Sequence, residues 1–297
     1  VGFHLKDWNW MDADENKNGR IDVAYETWVD RNKNHLRDAD EPVVGDFKLL
    51  QEMGCNTIRI LTNHPLHLEL LRDMKQTYGV RAIINEPLGA YTIHSGASWE
   101  QGTDYRDPVQ RKNMLDAVRR MVEQCRGEPW LLAYLLGNEN NMPANFSGVN
   151  ASRTNAALYP DAYAGLLNEA AAPIHQLDPD HPVGVGNMGL NLLDVYAEKA
   201  PALDFIGINE YAGREGFGSL WEAAKAIFDR PVLITEFGCD AYWTARGPDE
   251  QTQAEYVRNN WQDIAFNRAG EPGTGTSIGG MVFEWLDEWG KDTSVKD

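Results

Sequence analysis

The chain has 297 residues, 42% hydrophobic and 24% charged, proportions of a globular protein that exclude a disordered chain, a collagen-like repeat and a disulfide-stapled miniprotein. Its 27 lysines and arginines against 45 aspartates and glutamates give a formal net charge of −18, which argues against nucleic acid as a partner, because phosphate binding wants a basic surface. The apolar run from Trp130 to Leu136 is too short for a membrane span, and no basic start followed by an apolar segment reads as a secretory leader.

Taken in chain order, short apolar runs alternate with longer amphipathic stretches. A strand is expected at Val1 to Leu5, followed by a long Asp/Asn-rich loop at about 11–43. Then come a helix at Val44 to Met53, a strand at Thr57 to Leu61, a helix at His67 to Thr77, a strand at Val80 to Ile84 and a helix at Asp107 to Cys125. The next are a strand at Leu131 to Leu136, a helix at Asp161 to Leu177, strands at Val183 to Val185, Phe205 to Ile208 and Val232 to Thr235, a helix at Gln251 to Asn267 and a strand at Gly280 to Trp285. Such alternation predicts an α/β fold with a parallel sheet, and eight strands close a (β/α)8 TIM barrel, here a single catalytic domain over 1–297. An open doubly wound sheet announces itself with a glycine-rich turn after its first strand, and none follows Val1 to Leu5.

Two runs in the long loop resemble calcium-binding loops. Asp14, Asn16, Asn18 and Gly19, followed by Ile21 and Asp22, place oxygen donors at alternate positions, although Tyr25 stands where the closing glutamate belongs. Asp30, Asn32, Asn34, Asp38 and Glu41 form a second such run, with His35 in place of the turn glycine. An Asn/Asp-rich turn segment is the plainer reading of the same residues. The tandem favours a structural Ca2+ that orders the loop, with no cofactor expected for catalysis. His64, His94, His175 and His181 show no helical metal spacing, so a catalytic zinc is not expected; His64 and His94 follow strands and are candidates for sugar hydroxyls or for structural bonds. Cys55, Cys125 and Cys239 are too few for a disulfide framework.

A barrel gathers its reactive groups at the C-terminal ends of its strands. Arg59, Asn63, Asn85, Glu86, Asn138, Glu139, Asn209, Tyr211, Glu236, Glu284 and Trp285 all lie at or just after an expected strand. Two positions stand out. Leu135-Leu136-Gly137-Asn138-Glu139-Asn140 is an apolar strand ending in an amide and a carboxylate, and Val232-Leu233-Ile234-Thr235-Glu236-Phe237-Gly238 repeats the design three strands on. A lone glutamate near a strand end is most often a salt-bridged or capping group. Glycoside cleavage needs two facing carboxyls, one to protonate the leaving oxygen and one to attack or to activate water, and the ends of two barrel strands, here four and seven, can supply them.

Asn138-Glu139 matches the acid/base signature of the barrel-built retaining glycosidase clan, which carries its acid/base after strand four and its nucleophile after strand seven. The resemblance implies Glu139 as general acid/base, Glu236 as nucleophile and Asn138 on the sugar 2-hydroxyl. It likewise implies Arg59 beside the nucleophile, Tyr211 as its hydrogen-bond donor and Trp285 as a sugar platform. Within the clan, Asp46-Phe47-Lys48-Leu49-Leu50 through Gly54-Cys55-Asn56-Thr57-Ile58-Arg59 is similar to the catalytic barrel of glycoside hydrolase family 2, whose members carry sandwich domains ahead of the barrel; flanking domains outside this chain are expected on that reading. Thr235-Glu236-Phe237-Gly238-Cys239 and Gly279-Gly280-Met281-Val282-Phe283-Glu284-Trp285 are similar to motifs of the family 72 β-1,3-glucanosyltransferases.

The expected activity is cleavage of a β-linked glycan, of β-glucan type, by double displacement, with hydrolysis and transglycosylation both open and a non-catalytic carbohydrate-binding barrel as the alternative from another class. Oligo- or polysaccharide is the expected partner, and an extracellular or periplasmic site follows from a glycan substrate and calcium. Loop aromatics Trp8, Trp10, Trp99, Tyr105, Tyr211, Trp221, Tyr242, Trp243, Trp285 and Trp289 are candidates for sugar stacking, about half of them expected to line the cleft.

Overall fold

The computed structural model describes residues 2–4, 20–22, 28, 31–32, 34, 36–62, 65–143, 145–146, 150–243 and 247–285. Strand β1 (Gly2–His4) pairs antiparallel with β2 (Arg20–Asp22). The remaining elements alternate: α1 (Asp46–Glu52), β3 (Thr57–Leu61), α2 (Leu68–Tyr78), β4 (Arg81–Glu86), α3 (Pro108–Cys125), β5 (Leu131–Leu136), α4 (Pro160–Leu177), β6 (Val183–Met188), α5 (Leu193–Lys199), β7 (Phe205–Asn209), α6 (Leu220–Ile227) and β8 (Val232–Phe237). A short ribbon of β9 (Tyr242–Trp243) and β10 (Gly247–Pro248) precedes α7 (Glu250–Phe266) and β11 (Ser277–Val282).

Seven strands form one sheet in the order β3-β4-β5-β6-β7-β8-β11, so neighbours in sequence are neighbours in space. Pairings from β5 through β11 are parallel. This is the α/β barrel architecture, and its curl can be read from one bond. Arg59 on β3 donates from Nη1 to Glu236 Oε1 on β8 at 2.8 Å. These strands stand five places apart in the order, which on a flat sheet is roughly 24 Å at about 4.8 Å per strand, beyond the reach of an arginine. The strand expected at Val1 to Leu5 does not join this sheet: its described part, Gly2–His4, is one arm of the antiparallel pair with β2.

Local sequence explains most of the elements. Strand β5 is buried at all but one position, as a strand covered on both faces should be. Asp107 caps α3 by accepting the N–H groups of Val109 and Gln110, and Pro108 supplies a first-turn residue with no donor to satisfy. Helix α4 opens on Pro160 and turns Tyr163, Leu166, Leu167, Ala170 and Ile174 inward. Helices α5 and α6 are not among the helical stretches singled out in the sequence, and their 7 and 8 residues show too few turns for a period to stand out.

The chain divides into two compact units, one of Val1–Ile58, Pro65–Ala82 and Glu128–Leu132 and the other of Arg59–His64, Ile83–Gly127 and Ala133–Asp297. The first holds α1 and α2, with Phe47, Leu50, Leu71 and Met74 buried and Phe47 against Tyr78 at 6.1 Å between ring centres. The second holds the C-terminal ends of all the sheet strands and an apolar core of Ile83, Ala133, Leu135, Phe205 and Leu233. Every group of the candidate site belongs to this second unit.

Candidate active site

Each of the two singled-out glutamates follows an apolar strand, but they are held differently. Glu236 sits at the end of β8 where the register slips: Ile208 faces Ile234, yet the next residue, Asn209, faces Glu236. The extra residue, Thr235, forms a bulge, a device that re-aims side chains at strand ends. The Thr235 hydroxyl donates to Asn209 Oδ1 at 2.7 Å, and its carbonyl accepts Arg59 Nη1 at 3.1 Å.

Arg59 organises the floor of the site. Its guanidinium donates to Glu236 Oε1, to Asn85 Oδ1 from Nε at 2.9 Å, and to Asn138 Oδ1 from Nη2. The side chains of Arg59 and Glu236 are only 6% and 13% exposed, so each charge depends on the other: a buried ion left alone is strongly destabilising. Tyr211 donates its hydroxyl to Glu236 Oε2 at 3.1 Å. Burial first, then the charge of Glu236, hold the Tyr211 hydroxyl well above its ordinary value, so it remains a donor.

Glu139 is placed by the backbone. Gly137 (φ 77°) and Glu139 (φ 54°) both adopt the left-handed region, a conformation that costs a residue with a Cβ about 1 kcal/mol or more. A Cβ at Gly137 would lie 2.5 Å from the Tyr163 hydroxyl and 2.7 Å from Asn140 Oδ1, so only glycine fits there. Amides hold the turn from every side. Asn85 Nδ2 donates to the carbonyl of Gly137 at 2.9 Å, Asn140 Oδ1 accepts the N–H of Asn138 at 2.6 Å, and Asn141 Nδ2 donates to the carbonyl of Met188 at 2.9 Å. The N–H of Glu139 bonds the carbonyl of Gly186 at 3.0 Å, and Glu139 Oε1 accepts Asn209 Nδ2 at 3.0 Å.

Arg59, Asn138, Glu139, Tyr211 and Glu236 are therefore brought together in one hydrogen-bonded network. Asn85 and Asn209, noticed in the sequence only as polar strand ends, turn out to be its linkers. Nothing in the sequence pointed to Tyr91, whose hydroxyl accepts Asn138 Nδ2 at 3.1 Å. Trp99 stands outside this network, 45% exposed, with the Arg153 guanidinium 5.3 Å from its ring centre. Trp285 lies just past β11, 42% exposed. Two aromatics proposed for the cleft are core instead: Tyr105 and Trp221 are 0% and 1% exposed, Tyr105 stacked 4.6 Å from Tyr163. His94 pairs through Nδ1 with the buried Glu86 at 2.9 Å, a hydrogen bond that raises its pKa. His64, and the side chain of Tyr242, lie outside the described residues.

Of the calcium candidates, Asp14, Asn16, Asn18, Asp30 and the side chain of Asp22 also lie outside the described residues. Asn32 and Asn34 both donate from Nδ2 to Asp38 Oδ2, at 2.6 and 2.8 Å, while Glu41, 2% exposed, closes the loop by accepting the N–H groups of Arg31 and Asp38. The amide oxygens of Asn32 and Asn34 accept the N–H groups of Asn34 and Leu36. Donor oxygens are thus present in a closed loop. Among the described residues no group of three or more His, Cys, Asp or Glu side chains is arranged to hold a metal ion.

No protein-family profile matches the chain. It is 26% identical over 265 residues to the 1,3-β-glucanosyltransferase GAS4 of Saccharomyces cerevisiae, covering 82% of this chain and 49% of that protein. It is 22% identical over 209 residues to a β-glucuronidase of Paenibacillus borealis, covering 67% of this chain and 32% of the relative. The chain thus spans at most about half the length of these curated relatives. Among solved structures it resembles a Bacteroides uniformis β-glucuronidase (TM-score 0.59, 20% identity, 82% of this chain and 28% of that one). It also resembles an endo-β-1,4-mannanase from Thermotoga petrophila (TM-score 0.52, 16% identity, 80% of this chain and 63% of that one). At these identities the structural likeness carries the barrel fold.

Proposed function

We propose that this chain is the catalytic barrel of a retaining glycoside hydrolase acting on a β-linked glycan, with Glu236 as nucleophile and Glu139 as general acid/base. The observation that carries the reading is the meeting of two strand-end carboxyls in one hydrogen-bonded network. Glu236 accepts from the Arg59 guanidinium and the Tyr211 hydroxyl, and Glu139 Oε1 accepts the Asn209 amide; two carboxyls gathered at strand ends are what double displacement needs. Ionised Glu236 attacks the anomeric carbon as the glycosidic C–O bond breaks, and Glu139 gives its proton to the departing oxygen. A glycosyl ester on Glu236 results. Glu139, now a carboxylate, takes a proton from an incoming hydroxyl as that oxygen bonds the anomeric carbon, and Glu236 leaves as the carboxylate. Arg59 and Tyr211 keep Glu236 aimed throughout, and Asn138 offers an amide to the sugar hydroxyl beside the reacting carbon.

A second reading, transfer to a sugar acceptor, is favoured by the 26% identity to a glucanosyltransferase over 82% of the chain. Both use the same two carboxylates and differ in whether water or a sugar takes the glycosyl group. The experiment is product mass spectrometry with β-1,3-, β-1,4- and β-1,6-linked glucan and mannan oligosaccharides and β-galactosides, using wild type, Glu139→Ala and Glu236→Ala. Shorter products alone support hydrolysis; products both longer and shorter support transfer. Activity surviving both substitutions overturns the two-carboxylate assignment, and a wild type inert on every glycan leaves a carbohydrate-binding barrel as the better reading.

The same proposal takes residues 1–297 as one catalytic barrel within a longer secreted or periplasmic protein. Its loop at about 11–43 is proposed to bind a structural Ca2+, whose chemistry there would be to draw carboxylate and amide oxygens together. Asn32, Asn34, Asp38 and Glu41 would contribute. Among the described residues no helix is long and apolar enough to cross a membrane.

A further inference from the structure

The segment after β4 is unusually strained for its length. Leu88, Tyr91, Thr92 and His94 have φ of 50°, 55°, 59° and 61°, left-handed values that non-glycine residues keep only where their surroundings over-determine them. The surroundings do so. Asn140 Nδ2 donates to the carbonyls of Pro87 and Leu88 at 3.1 and 2.9 Å. The N–H of Tyr91 donates to the carbonyl of Ser152 at 2.7 Å. Thr103 Oγ1 donates to the carbonyl of Gly89 at 2.6 Å, and a Cβ at Gly89 would meet Thr103 Cγ2 at 2.6 Å. On the far side Glu86, 1% exposed, accepts the N–H of Leu88 and pairs with His94.

This bracing fixes one ring that the catalytic reading has not used. The Tyr91 hydroxyl accepts Asn138 Nδ2 at 3.1 Å, while Asn138 Oδ1 accepts Arg59 Nη2 and, at 3.4 Å, Asn209 Nδ2. Burial, followed by the negative charge of Glu139, pushes the hydroxyl up to about 12, which keeps its proton in place beside the carboxylates. We propose that Tyr91 is a positioning residue for glycosyl transfer: it fixes the side-chain amide of Asn138 so that the oxygen faces Arg59 and one of the two Nδ2 hydrogens remains for a substrate hydroxyl. The inference rests on the function proposed above. It states in addition that the strained loop exists to deliver this hydroxyl, and that the loss of one oxygen atom from the ring acts through Asn138.

The test is Tyr91→Phe, which retains the ring and its packing. Turnover of an aryl β-glycoside is compared with that of its 2-deoxy analogue, alone and in an Asn138→Ala background. Expected is a fall in kcat/KM of about tenfold on the sugar with its 2-hydroxyl, the scale of one lost hydrogen bond. Less than about a twofold change is expected on the 2-deoxy sugar or when Asn138 is already alanine, because the two residues act as one unit. Equal losses on both sugars, additive losses in the double variant, or no loss overturns the inference. If wild type turns over no glycoside, the parent reading fails while this one is still decided by NMR. The side-chain amide signals of Asn138, identified by their disappearance in Asn138→Ala, shift in Tyr91→Phe if the hydroxyl holds that amide; unmoved signals overturn it.

Discussion

The ends of β5 and β8 look alike in sequence, each an apolar strand breaking off at a glutamate, yet they are built by different forces. At β8 the work is electrostatic: Glu236 shares a nearly buried ion pair with Arg59 and takes a phenol from Tyr211. At β5 it is steric and conformational: Gly137 and Glu139 turn left-handed, and a layer of asparagine amides fixes the turn. The difference teaches how one scaffold separates two identical side chains. An arginine and a phenol hold the carboxyl at one end, whereas a left-handed turn braced by amides aims the carboxyl at the other.

The sharpest way to break this comparison is to remove each carboxyl in turn. Glu236→Ala is expected to lower kcat by about 10^4-fold or more on every substrate, since no other group forms the covalent intermediate. Glu139→Ala is expected to slow the first step comparably only with glycosides whose leaving group needs a proton, while the second step, which uses Glu139 as base, slows with all of them. With a nitrophenyl glycoside the first step stays fast and a product burst precedes slow turnover, as rapid-quench kinetics would read; an equal loss in the first step on both substrate types would erase the proposed division of roles.

Next in size is the ion pair itself. Arg59→Met strands Glu236 in a site from which water is largely excluded, and a loss of stability of about 3–5 kcal/mol is expected by urea denaturation. Gly137→Ala tests the steric side: its Cβ would press on Tyr163 and Asn140, and a loss of about 1–3 kcal/mol is expected. An unchanged midpoint would mean that the β5 turn is not sterically specified.

The smallest effect lies in the loop that braces the β5 side. Glu86 raises the pKa of His94, so protonated His94 contributes stability that is fully present below its ordinary value of about 6.5 and is lost as pH rises through the raised one. The melting temperature of wild type is therefore expected to fall more steeply above pH 6.5 than that of His94→Gln. Parallel curves would detach the pair from stability.

Periodicity made the alternating strands and helices legible, because burial on both faces leaves runs such as 131–136 with almost no polar residue, and because Asp107 before Pro108 marks a helix start in any context. The two glutamates were legible for the same reason: a charge closing an apolar strand is a local signal. The strand at Val1 to Leu5 was misassigned to the barrel because an apolar run does not name its partner. Asn85, Asn209 and Tyr91 were not assigned roles because an asparagine at a strand end, or a tyrosine in a loop, reads the same whether or not it meets a catalytic group.

The sequence by itself thus determined the order of the elements and the presence of two carboxyls at strand ends, since both depend on interactions within a dozen residues. The pairing of Arg59 with Glu236 was implied by the family resemblance and not by any local pattern, and the tertiary structure is what brings the two together. Arg59 and Glu236 are 177 residues apart and meet only because the sheet curls, and no local pattern encodes a contact that exists only after the curl has formed.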